Sequence, residues 1–169
     1  MDLLFFADDL GGQNGPLISE RSYLDVVQPV HRRLFATAHE LAPQAKVLYH
    51  SDGSVAALIP SLLDAGIDCL EAVQIECAGM DPARLKADYG SRLAFHGAIS
   101  VQRLLPRESP DTVEFRCREL VKLLGQNGGY IAAPSHAVQM GTPTANVMAM
   151  LRGVLGTEGL DQTLAVAHT

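Results

Sequence analysis

The sequence predicts an α/β fold, and more narrowly a partial (β/α)8 barrel. Two observations lead to this prediction. Short apolar segments without polar alternation recur along the chain, as in parallel strands that are covered on both faces. Each segment ends in polar, chemically capable side chains and is followed by a helix start, as at the carboxyl ends of barrel strands. The predicted strands are residues 2–7, 45–50, 67–72, 92–96 and 129–133.

Five strand–helix units are too few for a complete barrel, which usually needs about 250 residues. Dividing the 169 residues by eight leaves about 21 residues per unit, too few for a strand, two loops and a helix. We therefore predict a single domain, residues 1–169, that forms part of a barrel. Five strands leave two open sheet edges, so we expect a homo-oligomer or a complementary chain that supplies the missing units.

Several helices carry recognisable start and stop signals. A capping side chain followed by proline opens three of them, which run to about Tyr89, Leu124 and Leu155. These openings are Asp81-Pro82, Ser109-Pro110 and Thr142-Pro143. Two further helices are predicted, at about residues 22–41 with a kink at Pro29, and at residues 55–65 with Ser54 as its cap and Gly66 as its stop.

A doubly wound open sheet fits the same order of elements. The dinucleotide-binding variant has a GxGxxG turn after its first strand, and residues 9–15, Asp-Leu-Gly-Gly-Gln-Asn-Gly, do not match it. The sequence therefore favours the barrel.

Composition and charge exclude several classes of function. The formal charge is −6, and no basic run exceeds Arg32-Arg33, which argues against nucleic acid as a partner. No apolar stretch reaches the roughly 18 residues of a membrane helix. Cys69, Cys77 and Cys117 are odd in number and form no CxxC pair, so we expect reduced, mostly buried thiols in a cytoplasmic protein.

Seven motifs occur in order along the chain, and they are Ala7–Gly11, Gly15–Ser19, His50–Ser54, Ala78–Pro82, His96–Ile99, Leu105-Pro106 and Gly129–His136. In order and spacing they resemble the motifs of the uroporphyrinogen decarboxylase superfamily. This superfamily includes the haem-pathway decarboxylase and methyltransferases that serve corrinoid proteins. The resemblance covers about residues 1–155 and implies strand–helix units four to eight of the family barrel.

The resemblance implies three alternative functions. The first is decarboxylation, the lyase chemistry of porphyrin biosynthesis, on a tetrapyrrole or related anionic substrate and without a cofactor. The second is zinc-dependent methyl transfer from a small-molecule methyl donor, with a corrinoid protein or a thiol. The third is a truncated barrel that has no independent catalysis and needs a partner chain.

His50 and Asp52 are the first candidate site residues. Positions i and i+2 at a strand end point to the same side, so the imidazole and the carboxylate can converge. The methyltransferase branch has a His-x-Cys motif here and a later cysteine, all binding zinc. By the resemblance, His50, Asp52 and His136 form the metal set, with Asp52 and His136 standing where that branch has cysteines. The alternative is a hydrogen bond between His50 and Asp52 without metal.

His136 and the pair Asp8-Asp9 are the predicted catalytic residues. In the decarboxylase branch a histidine at the position of His136 lies in the substrate pocket, where it would polarise or position the substrate. Adjacent strand residues point to opposite faces, so at most one of Asp8 and Asp9 faces the barrel axis.

Other polar or small residues at the strand ends are predicted to bind the substrate, and Glu71 is also a possible fourth metal ligand. Ser100 stands where relatives often carry aspartate. His31, His39 and His168 are expected on helix surfaces or in the tail. The predicted substrate-binding residues are Gln13, Glu71, Gly97, Ser100 and Ser135.

Overall fold

The computed structural model describes residues 2–166, with side chains through residue 162, and contains one five-stranded parallel sheet. His168 lies outside the described residues. Strand order follows chain order, so each crossover moves in the same direction, as in a barrel, whereas a doubly wound sheet reverses its order. The prediction of an α/β partial barrel is confirmed. The strands are β1 (Leu3–Ala7), β2 (Lys46–His50), β3 (Cys69–Val73), β4 (Ala94–Ile99) and β5 (Tyr130–Pro134).

Helices connect consecutive strands and cover the outer face of the sheet. The core lies between these two layers, where Tyr49, Leu70 and Phe95, which are neighbours in register on β2, β3 and β4, are fully buried. The helices are α1 (Glu20–Ser22), a π-helical turn (Tyr23–Val27), α2 (Gln28–Leu41), a 3-10 turn (Ala56–Leu58), α3 (Ile59–Ala65), α4 (Pro82–Tyr89), α5 (Leu104–Arg107), α6 (Pro110–Leu124) and α7 (Thr144–Val166).

The inner face of the sheet carries the alternate residues of the strands. His50 is paired in register with Ala7 on β1 and with Glu71 on β3. On the same face Phe5 is 62% exposed and Ile131 is 40% exposed. Alternation therefore places a polar group at the carboxyl end of the inner face and accessible apolar side chains beside it.

The helix kink predicted at Pro29 is replaced by an irregular turn that lies just before this residue. The helix passes through the π-helical turn at Tyr23–Val27, and Pro29 occupies the first turn of α2. A proline is tolerated there because the first N–H groups of a helix have no intrahelical partner.

Two predicted caps are confirmed and two are wrong. Asp81 and Ser109 accept hydrogen bonds from the N–H groups of Arg84 and Thr112. Ser54 does not cap a helix, because its hydroxyl donates to the carbonyl of Ala78 at 2.5 Å. The 3-10 turn after Ser54 instead begins without a side-chain cap.

The prediction that Thr142 opens the last helix is also wrong. Helix α7 begins at Thr144, and Thr142 Oγ1 is buried with no hydrogen-bond partner among the described residues. Gly156, with φ of 71°, interrupts α7 directly after Leu155, the predicted end. The stop signal therefore marks a break between two helical segments.

The cysteines are buried, as the sequence predicts, and the helices that the structure describes lack the apolar length of a membrane span. Cys69, Cys77 and Cys117 are free and buried. No helix in the described part of the chain has both the length and the apolar character that crossing a membrane requires.

Candidate metal centre

The carboxyl ends of β1 and β2 bring together one imidazole and two carboxylates. Asp9, His50 and Asp52 each offer one ligand atom, and these atoms all lie within 4.8 Å of one another. Nε2 of His50 is 3.4 Å from Oδ1 of Asp9 and 3.9 Å from Oδ1 of Asp52. Three protein ligands of this kind leave coordination positions open, as in catalytic zinc sites.

Backbone pairing of the two strands produces this convergence. The N–H of Asp8 donates to the carbonyl of His50 at 3.1 Å, and the N–H of Asp52 donates to Oδ1 of Asp9 at 3.1 Å. A Cβ on Gly11 would collide with the backbone carbonyl of Asp52, so only glycine permits the two loops to approach this closely. Main-chain contacts therefore hold the two strand ends together, and one of them fixes the carboxylate of Asp9.

Glu71, predicted to bind substrate, lies behind His50. Its Oε2 is 3.0 Å from Nδ1 of His50, while its Oε1 is 3.7 Å from Nδ1 of His96. A carboxylate that accepts from one ring nitrogen leaves the other nitrogen free to bind a metal and fixes the ring orientation. His96 thus belongs to the surroundings of the site, although the sequence analysis did not assign it a role.

A second residue that the sequence analysis missed is Gln74, which is buried. Its Nε2 donates to Oδ1 of Asp52 at 3.2 Å, and its Oε1 accepts from the N–H of Gly53 at 2.8 Å. One amide therefore orients the Asp52 carboxylate and closes the loop that carries it. A single glutamine after a strand carries no pattern that would have revealed this role.

The structure places His136 at the rim of the centre. Its Nε2 is 3.8 Å from Oδ2 of Asp52, and its side chain is 49% exposed. His50 and His136 thus approach different oxygens of Asp52, and Asp9, instead of His136, completes the compact set with His50 and Asp52. The neighbouring Ser135 is buried, and its Oγ has no hydrogen-bond partner among the described residues.

Asp8 and Asp9 point to opposite faces of the sheet. Asp8 turns toward the helices, where its Oδ2 is 3.1 Å from Nε2 of His31. The strand alternation thus separates Asp8 from the ligand cluster and leaves Asp9 in it. The prediction that His31 lies on a helix surface is wrong, because its side chain is 95% buried between helix α2 and the sheet.

Three predicted substrate-binding residues make structural contacts. The Gln13 carbonyl accepts from the N–H of Ala78 at 2.9 Å. Gly97 has φ of 106° and packs closely on the backbone of Val73. The Ser100 hydroxyl accepts from the N–H groups at the start of α5, so it stabilises that helical turn.

Electrostatics at the centre favour a cation. Asp9, Asp52 and Glu71 surround His50, and in the part of the chain that the structure describes their ion-pair partners are imidazoles, without a lysine or arginine. Burial raises the pKa of the nearby Cys77 thiol, which disfavours a thiolate there. The donor set is therefore nitrogen and oxygen, which zinc accepts and which a harder divalent ion also tolerates.

Comparisons with known proteins agree with this architecture. Residues 2–155 match the sequence profile of the family described as uroporphyrinogen decarboxylase (URO-D). The chain is 30% identical over 151 residues to a methylated-thiol–coenzyme M methyltransferase from Methanosarcina mazei, covering 89% of this chain and 36% of that protein.

A solved structure of a methyltransferase from Methanosarcina mazei has the same fold. It superposes with a TM-score of 0.69 at 19% identity, over 90% of this chain and 41% of that one. The chain thus spans about two fifths or less of the length of the proteins that it matches. On the profile match over most of its length, the chain belongs to the uroporphyrinogen decarboxylase family.

Proposed function

We propose that this chain carries the metal-binding part of a methyltransferase in which Asp9, His50 and Asp52 hold a zinc ion. The observation that carries the proposal is the convergence of these three ligand atoms within 4.8 Å at the carboxyl ends of neighbouring strands. Active sites of (β/α) barrels lie at this end of the sheet. Glu71 and Gln74 support the ligands from behind.

The chemistry assigned to each residue follows from its contacts. A bound zinc would supply a Lewis acid that favours the thiolate form of a thiol. His50 presents Nε2 because Glu71 occupies Nδ1. Asp9 and Asp52 balance the positive charge. His136, half exposed and 3.8 Å from Asp52, is placed to accept the proton of an entering S–H group, and the electron pair stays on sulfur.

The proposed substrates are a thiol that accepts a methyl group or a methylated thiol that donates one. The similarity to the methylated-thiol–coenzyme M methyltransferase of Methanosarcina mazei supports this class of substrate. By the family resemblance, a corrinoid protein is the proposed partner. Two carboxylates and an imidazole are harder ligands than thiolates, so we expect weaker thiolate activation than a cysteine-rich zinc site would give.

Decarboxylation of an anionic tetrapyrrole, the first of the three functions that the family resemblance implies, receives less support from the site. Three carboxylates converge at the centre, and the described residues place no arginine or lysine beside them to bind substrate carboxylates. An anionic substrate would be repelled there, whereas a metal ion would be attracted.

We further propose that additional strand–helix units, on this chain or on a partner, pack beside β1 and its helix and enclose the inner face of the sheet. Phe5 and Ile131 are exposed on that face, and Val26, Val30 and Leu34 form an exposed apolar stripe along the helix beside β1. Exposed apolar patches of this kind mark interaction surfaces. Sedimentation velocity should show the isolated chain self-associating, and a Phe5→Gln variant should associate less. A monodisperse monomer would contradict this.

A cobalt(II) titration tests the proposed function. We expect one cobalt ion per chain to give a visible d–d spectrum, and an added small thiol such as 2-mercaptoethanol to give a thiolate-to-cobalt charge-transfer band in the near ultraviolet. His50→Ala should abolish both signals, whereas His39→Ala, at a part-buried position of α2 that contacts Gly66 and Asp68 and not the proposed ligands, should retain them. Cobalt binding without a thiol band would contradict the thiol chemistry, and no binding would contradict the metal centre.

A further inference from the structure

We infer that His31 is a positioning residue, which fixes the strand end at Asp8-Asp9 and thereby orients the carboxylate of Asp9 toward the other proposed ligands. His31 itself lies on the opposite face of the sheet from those ligands. The inference rests on the proposed metal centre and adds a residue to it. His31 lies on α2, and its side chain is 95% buried. A buried histidine whose two nitrogens are both engaged holds its neighbours in fixed positions.

Both ring nitrogens of His31 have partners. Nε2 lies 3.1 Å from Oδ2 of Asp8, and Nδ1 lies 3.1 Å from the hydroxyl of Tyr23. Tyr23 is fully buried. The carboxylate of Asp8 accepts from Nε2–H, and in the neutral imidazole Nδ1 is then the acceptor for the tyrosine hydroxyl. The chain of contacts therefore has one consistent direction, from Tyr23 through His31 to Asp8.

Aromatic packing fixes the plane of the His31 ring. The ring centroid lies 5.2 Å from that of Phe35, 5.3 Å from that of Tyr49 and 5.7 Å from that of Tyr23. Phe35 and Tyr49 are fully buried, so the plane of the ring has little room to tilt. Of the two ring flips that share this plane, the one with Nε2 toward Asp8 makes both hydrogen bonds. Nε2 thus stays directed at Asp8.

The same cluster holds the peptide between Asp8 and Asp9. The Tyr49 hydroxyl donates to the carbonyl of Asp8 at 3.4 Å, and the N–H of Asp8 donates to the carbonyl of His50 at 3.1 Å. With side chain, carbonyl and N–H of Asp8 all engaged, little freedom remains for the residue that follows it. Asp9 then meets the N–H of Asp52 and Nε2 of His50.

Substitutions at His31 separate positioning from simple stability. His31→Phe keeps the ring packing and removes both hydrogen bonds, whereas His31→Gln retains a donor toward Asp8. We expect His31→Phe to weaken cobalt binding about tenfold, a loss typical of residues that support metal ligands, and His31→Gln to recover most of it. His39→Phe, the same substitution on the same helix, should leave the affinity unchanged.

A metal-independent readout completes the test. The amide proton of Asp52 donates to Oδ1 of Asp9, so its chemical shift in the metal-free protein reports the position of Asp9. We expect the chemical shift of this resonance to change in His31→Phe. It should lie close to the wild-type value in His31→Gln and remain at that value in His39→Phe. Tyr23→Phe, a milder change, should move it in the same direction and keeps the test available if His31→Phe does not fold.

The outcomes distinguish this inference from the proposed function. If the wild-type chain binds no cobalt, the metal centre fails, and the Asp52 resonance still decides the role of His31. An unmoved Asp52 resonance in both His31→Phe and Tyr23→Phe would overturn the inference, even if both variants unfold at lower temperature. Equal loss of cobalt affinity in His31→Phe and His31→Gln would overturn it as well.

Discussion

Oε2 of Glu71 lies 3.0 Å from Nδ1 of His50, on the side of the imidazole that faces away from Asp9 and Asp52. The two residues are neighbours in register on β2 and β3, so parallel strand pairing creates the contact. A carboxylate in this position selects the tautomer in which Nε2 carries the free lone pair. The proposed centre therefore depends on a residue that does not itself touch the metal.

Glu71→Gln tests this dependence. The amide keeps the size of the side chain and removes its charge, so we expect metal affinity to fall about tenfold, within the range seen for such supporting residues. Isothermal titration with cobalt measures the change. Glu40→Gln, an exposed position on α2, is the matched control, and equal affinities in the two variants would refute the supporting role of Glu71.

Asn146 is predicted to be important for stability. Its buried Nδ2 donates to the carbonyls of Leu105 and Glu108 at 2.8 Å each, which ties α7 to the segment before α6. Asn146→Ala leaves both carbonyls without this partner and should lower the free energy of unfolding by about 2 kcal/mol. Urea denaturation measures this loss, and Gln126→Ala, which truncates an exposed polar side chain, is the control. A loss no larger than the control's would show that the contact contributes little.

Gly153 and Gly159 should respond to alanine in opposite ways. A Cβ on Gly153 would lie 2.5 Å from the carbonyl of Glu114 and 2.8 Å from Cβ of Cys117, so α6 and α7 would have to separate. We expect Gly153→Ala to lower the free energy of unfolding by about 1–3 kcal/mol.

At Gly159 the added Cβ would meet, among the side chains that the structure describes, Cβ of Leu155 at 3.4 Å, an ordinary contact distance. Alanine there should be neutral or stabilise the helix by up to about 1 kcal/mol. Thermal unfolding of the two variants compares them directly, and similar midpoints would argue against close packing of α6 on α7.

Stability should decline at alkaline pH. Burial raises the pKa of the Cys69 thiol to about 12 and that of the Cys117 thiol to about 11. In the unfolded chain cysteine ionises near about 8.5, so above that pH the unfolded state releases protons that the folded state keeps. Stability is therefore full below about pH 8.5 and falls as the pH rises toward the folded-state values.

Burial of Tyr23, Tyr49 and Tyr130 raises their pKa values as well, so these hydroxyls also cause stability to fall above about pH 10. Urea midpoints measured from about pH 8 to pH 10.5 should fall, and they should fall less in the double variant Cys69→Ala, Cys117→Ala. A constant midpoint over this range would contradict the burial of these thiols.

The architecture was predictable because its signals are local. Apolar runs and capping residues such as Asp81 and Ser109 depend on neighbours a few positions away, and the structure confirms them. Ser54 misled the prediction because its hydroxyl reaches Ala78, a partner 24 residues along the chain. Thr142 misled it because the helix starts two residues later.

The candidate site was predictable in outline only. His50, Asp52 and Asp9 stand at strand ends, which identifies them as candidates, but which of Asp8 and Asp9 faces inward follows from the pleat of β1. His31 precedes Arg32-Arg33 on a helix, a context typical of a surface residue, and only the tertiary structure shows it buried against Tyr49. Such long-range partners leave no periodic trace in the sequence.

The most direct test of the metal centre compares Asp9→Asn with His136→Ala in zinc binding, measured by competition with a chelating dye and by metal analysis after dialysis. The proposed metal centre predicts one zinc per wild-type chain, an affinity loss of well over tenfold in Asp9→Asn, and a much smaller loss in His136→Ala, because Asp9 belongs to the compact set and His136 to its rim. Zinc binding that survives Asp9→Asn unchanged, or a wild-type chain that binds no zinc, would contradict the account.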